Sequence, residues 1–134
     1  MNTFINRKLG LLLILIGLIA CKHKKVEPTK GCTASLPEVV SFKRDIQPIF
    51  NKNCNDALCH SGSTPGGKLN LEPSLAYSNL NKTGRGYIDT IKPESSVLYV
   101  TLISRSNPMP PNGRLDECSL ALIRKWMDQN APNN

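Results

Sequence analysis

Apolar and polar positions divide the chain into an apolar opening, a polar stretch and a long region of helical period. Positions 9–20 carry only aliphatic residues and glycine. That is the length of an export-leader core, short of the roughly 20 residues a membrane span requires. Positions 22–40, "KHKKVEPTKGCTASLPEVV", have no sustained helical period and read as a tether with an extended lead-in. The pattern changes at Ser41, a capping residue, after which Ile46, Ile49, Phe50 and Cys54 recur at i, i+3, i+4 and i+8. Pro48 disfavours helix at the residue before it, so the regular helix is expected to begin near 45–47. A short helix is predicted in "PSLAYSNL", and another over 94–103 with Pro93, Glu94 and serines at its start. Pro108, Pro110 and Pro111 exclude helix and central strand from "SNPMPPNGR". The last helix is the clearest: Asp116 caps it, Arg124 and Lys125 come late, and Cys118, Leu122 and Trp126 share a flank. No run alternates with strand period, so the expected fold is all-α, three main helices with long loops. Phe42, Phe50, Tyr77, Tyr87, Tyr99 and Trp126 are few aromatics for that frame, which implies a core filled by something else.

Charge refines the opening segment. The chain is 134 residues long with a formal net charge of +7, and Lys22, Lys24, Lys25 and Lys30 lie just behind the apolar run. Beside anionic lipid each basic residue contributes roughly 1 kcal/mol. The other basic residues are scattered among acids with no aromatic interleaving, which argues against nucleic-acid binding. "LIAC", positions 18–21, resembles the lipobox of bacterial lipoproteins. That resemblance implies a signal peptide over 1–20 that is removed, a lipid on Cys21, a tether and lead-in over 21–40, and a domain over 41–134. It also implies a membrane anchor facing the periplasm.

Five cysteines in an exported chain are expected to be bridged, acylated or otherwise bonded. Cys54, Cys59 and His60 form "CNDALCH", which admits several chemistries. Structural zinc needs four ligands, with Cys118 or His23 as the remaining candidates. A redox dithiol usually separates its cysteines by two residues rather than four. A plain Cys54–Cys59 disulfide beside an incidental histidine is a further alternative. Covalent haem attachment uses two cysteine sulfurs and a histidine directly behind the second, commonly as C-x-x-C-H. Here the spacing is two residues longer, and the intervening residues would bulge outward. A haem iron held by one histidine takes a sixth ligand to act as a carrier, often a methionine. Met109 sits in the proline loop, whereas Met127 beside Trp126 suits core packing.

Taken together, "FKRDIQPIFNKNCNDALCH", "SSVLY", "MPPNG" and "LALIRKWMDQNAP" resemble bacterial monohaem c-type cytochrome domains of the class I type, over about residues 41–131. The resemblance implies a cytochrome c-like fold with one covalent haem c, thioethers on Cys54 and Cys59, and His60 and Met109 as axial iron ligands. It also implies that Trp126 packs against the first helix. Cys32 and Cys118 are then the two cysteines left over, and a bridge between them is expected; two buried or modified thiols are the alternative.

The function so implied is electron transfer at the cell envelope, iron passing between Fe(II) and Fe(III). The protein would be a carrier rather than an enzyme, with a redox partner protein and no small-molecule substrate. Lys43, Lys52 and Lys68 could steer an acidic partner or form an ordinary solvated face. Two other classes compete: a peroxidase or gas sensor with an open distal site if Met109 does not bind, and a non-haem, disulfide-stapled interaction lipoprotein.

Overall fold

The computed structural model describes Cys32 and residues 36–134. The expected leader over 1–20, Cys21, His23 and Lys22, Lys24, Lys25 and Lys30 lie outside the described residues. The fold is all-α: four helices joined by loops, with no strand among the described residues. They are α1 (Gln47–Asn53), α2 (Ala76–Leu80), α3 (Val97–Ile103) and α4 (Glu117–Asp128). None is long and apolar enough to cross a membrane.

A π-helical turn, Phe42–Ile46, leads into α1, so the regular helix starts where Pro48 was expected to permit it, at Gln47. Ser41 Oγ accepts from Arg44 N, and Asp45 Oδ2 accepts from Ser41 N at 2.7 Å, a reciprocal cap. Asn134 satisfies three further donors of this end, accepting at its backbone oxygen from Lys43 N and Ser41 Oγ and at its side chain from Phe42 N. Gln129 closes the same seam, accepting from Val40 N and donating to Glu38 O. The start of the first helix and the end of the last are thus held together by a short polar clasp.

α4 has the predicted cap, with Asp116 Oδ1 accepting from Ser119 N at 2.9 Å. Its buried face differs from the expected flank. Ile123, Trp126 and Met127 are fully covered, while Cys118 is exposed and Leu122 only half-buried. Spacing i, i+3, i+4 puts these residues on one stripe, whose Trp126 meets Phe42 of the π-helical turn before α1, and Met127 is a core residue as its place beside Trp126 suggested. The helix ends in a left-handed turn at Asn130 and Ala131, where Ala131 N donates to Trp126 O.

The expected helix over 94–103 is interrupted. Pro93–Ser95 is a 3-10 turn, and Ser96 is extended before α3 begins at Val97. Ser96 is fully buried because its hydroxyl accepts from Asp89 N and donates back to Asp89 O, which draws it out of helical geometry.

The described residues build a hydrophobic core in which the few aromatics are gathered. Phe42 sits 5.2 Å from Tyr77 and 5.3 Å from Trp126, centroid to centroid, with Phe50 at 6.3 Å. Trp126 therefore does pack against the first helix. Around these rings lie Val40, Ile46, Leu80, Leu102 and Ile123, each almost wholly buried. Concentrating the rings in one cluster at the clasp is what lets few of them suffice.

Candidate functional site

"CNDALCH" begins where α1 runs out. Cys54 N and Asn55 N both donate to Phe50 O, ending the helix. Asp56 then makes a tight turn, its side chain accepting from Leu58 N and its backbone oxygen from Cys59 N. His60 N donates back to Cys54 O at 3.1 Å, so the ends of the segment meet and Asn55–Leu58 form an outward loop. Leu58 stands at 96 % exposure on it.

Cys54 and Cys59 are both free thiols and half-buried. Burial, and then the nearby Cys59, push the Cys54 thiol up to about 11. Among the described residues no group of three or more His, Cys, Asp or Glu side chains gathers as a metal site.

The His60 ring is oriented by the loop that follows. Its Nδ1 lies 3.0 Å from Gly66 O and 3.1 Å from Leu69 O. Both oxygens are acceptors only, so Nδ1 carries a proton, and in the neutral ring the lone pair is on Nε2. The glycine suits a tight approach: a Cβ on Gly66 would stand 3.0 Å from Cys59 O, so that the backbone there would have to give way slightly. Gly66 N donates to Cys59 O at 2.7 Å, and Leu71 N donates to His60 O at 2.7 Å. The "SGSTPGGKLN" loop thus packs its backbone against the Cys54–His60 segment.

Met109 is half-buried in the proline loop, and its N donates to Thr101 O in α3. Arg114 braces the loop by donating to Ser104 O at 2.9 Å, and Asn107 N donates to Ser104 Oγ. Val97, Val100 and Ile103 form an exposed apolar row on α3, each 42–47 % exposed. The two candidate loops meet that helix at different points. The His60 loop reaches its start through Tyr87, whose hydroxyl donates to Gly67 O and whose backbone oxygen accepts from Leu98 N. The Met109 loop reaches Thr101 directly. Tyr87 escaped the sequence reading because "GRGY" carries no motif; its spacing to the second glycine of "PGG" is visible only in three dimensions.

Cys32 and Cys118 are disulfide-bonded, with Cα atoms 5.1 Å apart. Lys43, Lys52 and Lys68 are all exposed. A cavity of about 600 Å³ is lined by Phe42, Lys43, Gln47 and Tyr77 among others, and by none of Cys54, Cys59, His60 or Met109, so the candidate chemistry lies elsewhere.

No family model and no solved structure matches the chain. Among characterised proteins it is similar to hydrazine synthase subunit alpha of Kuenenia stuttgartiensis, 37% identical over 70 residues. The match takes in 45% of this chain and 8% of that protein, so the chain spans a small fraction of the relative's length.

Proposed function

We propose that the chain is a monohaem c-type cytochrome that carries electrons at the cell envelope, held there by a lipid on Cys21. The observation that carries this reading is the state of His60. Directly behind two free cysteines, its Nδ1–H is held by two backbone carbonyls and its Nε2 is left as a ligand. An imidazole so tied is pre-oriented, and donation from Nδ1 makes Nε2 a better donor to a metal. Cys54 and Cys59 would hold the haem through thioethers, His60 and Met109 would be its axial ligands, and the apolar row of α3 would cover porphyrin. A bound haem supplies one-electron exchange between Fe(II) and Fe(III). The loops around His60 and Met109 leave both side chains half-buried, and the partner is another redox protein of the envelope.

Haem retained by the protein after denaturation, in material made by a host with a haem-attachment system, supports the reading; its absence removes it. A second reading, an open distal site where chemistry occurs, is favoured by one observation: the relative bears the name of a synthase. Carbon monoxide separates the two. Rapid binding to the reduced native protein selects the open site, and no binding without denaturant selects the six-coordinate carrier.

A further inference from the structure

We infer that Tyr87 is a positioning residue for His60, setting its donor strength through the Gly66–Lys68 turn. The inference rests on the haem reading for its functional consequence and on the geometry alone for the positioning itself.

The turn that holds His60 is made of residues with little conformational support of their own. Gly67 lies at φ 61° and Lys68 at φ 59°, so two successive residues are left-handed. Within the turn, Lys68 N donates to Pro65 O and Leu69 N to Gly66 O. Gly66 O is therefore shared between Leu69 N and His60 Nδ1, and Leu69 O is the second acceptor for the ring. The carbonyl between these two acceptor residues that faces a side chain is Gly67 O. It is taken by Tyr87 Oη at 3.0 Å.

Tyr87 is itself fixed. It is half-buried, its backbone oxygen accepts from Leu98 N, and the preceding Gly86 O accepts from Val97 N. The phenol is thus mounted on the start of α3 and bonded to a turn whose other hydrogen bonds are its own short-range ones and those to Cys59 and His60. α3 also carries Thr101, whose oxygen accepts from Met109 N. One rigid helix therefore fixes the backbone behind both candidate ligands. Removing the phenol hydroxyl frees the turn, lengthens the time-averaged Nδ1–H to carbonyl contacts, and makes Nε2 a weaker donor. A weaker donor stabilises Fe(III) less, so the sign of the effect is a higher midpoint potential.

The test compares wild type, Y87F and the control Y99F. Tyr99 lies under Arg124, 5.5 Å from its ring centroid, and is not bonded to the turn. Two quantities are read: the amide hydrogen exchange of Leu69 in the protein as purified, and the midpoint potential of the haem-bearing form. In Y87F, Leu69 exchange is expected to accelerate about tenfold while amides of α4 are unchanged. The ferrous-to-ferric ratio at a fixed potential is expected to rise about threefold, ~28 mV at the 59 mV per decade of a one-electron couple. Y99F is expected to move neither. Leu69 exchange in Y87F equal to wild type overturns the positioning role whatever the haem content. Faster exchange with an unmoved potential overturns the control of donor strength. Wild type without covalent haem overturns the functional reading instead, and the exchange comparison still decides the positioning.

Discussion

His60 has the role of one ring nitrogen assigned by its neighbours: two carbonyls accept from Nδ1, which in the neutral ring puts the lone pair on Nε2. Cys54 is the other residue whose surroundings have a measurable consequence. Its thiol is raised to about 11 by burial and by Cys59, so at pH 8 only about one part in a thousand is thiolate, the form that reacts. Without haem, Cys54 is expected to alkylate far more slowly than an unperturbed thiol at pH 8, with the rate climbing as the pH passes 11. Rapid labelling of Cys54 at pH 8, read by peptide mass, contradicts that environment. The same shift has a stability consequence. A thiol whose folded value exceeds its unfolded value adds stability below the unfolded value, 9.0, that is lost as pH rises toward about 11. Denaturant midpoints across that range should fall for the haem-free wild type and fall less for Cys54→Ala. At this scale the sequence singled out Cys54, Cys59 and His60 because two cysteines with a histidine directly behind the second are a local pattern. It was silent on Gly66, Leu69 and Tyr87, whose parts are played by backbone oxygens or by a contact 20 residues away in the chain.

Among the elements, α4 shows how far pattern carries. Asp116 was legible as its cap because a short acceptor before an acidic turn is a local signal. The core packing of Met127 was legible from its place beside Trp126, whereas only the packing on the π-helical turn before α1 shows that Ile123 joins them while Cys118 stays exposed and Leu122 half-buried. Asp116→Ala is expected to cost about 1 kcal/mol, the usual value of a lost cap, read as a lower thermal midpoint. Its carboxyl is held below the ordinary value mainly by the Ser119 hydroxyl and then by the Ser119 amide. A lowered folded value means that the contribution is present above the unfolded value, 3.8, and is lost as the pH falls through the folded one. The acid limb of the stability curve should therefore be shallower in Asp116→Ala, and an unchanged limb argues against the cap. The break at Ser96 was not legible, because a serine early in a helix reads as favourable until the Asp89 loop is seen to claim its hydroxyl.

Over the whole molecule, two devices join the ends of the described chain. The polar clasp of Ser41, Gln129 and Asn134 brackets the aromatic cluster, and the Cys32–Cys118 bond ties the lead-in to the start of α4 across a separation of 86 residues. In the chain-entropy account a bridge of that span contributes at most about 4–5 kcal/mol. Cys32→Ala with Cys118→Ala is expected to lower the denaturant midpoint substantially, and reductant should do the same to wild type. Equal midpoints with and without reductant contradict a stabilising bridge. The all-α class was readable because amphipathic period and proline placement are local, whereas the aromatic cluster was not, since residue counts do not reveal that Phe42, Phe50, Tyr77 and Trp126 converge. The central claim concerns what Cys54, Cys59 and His60 hold, and the most direct test is the intact mass of denatured protein from a host with a haem-attachment system. One haem retained per chain in wild type, and none when Cys54 and Cys59 are both alanine, is the predicted result; a wild-type mass equal to that of the bare polypeptide contradicts it.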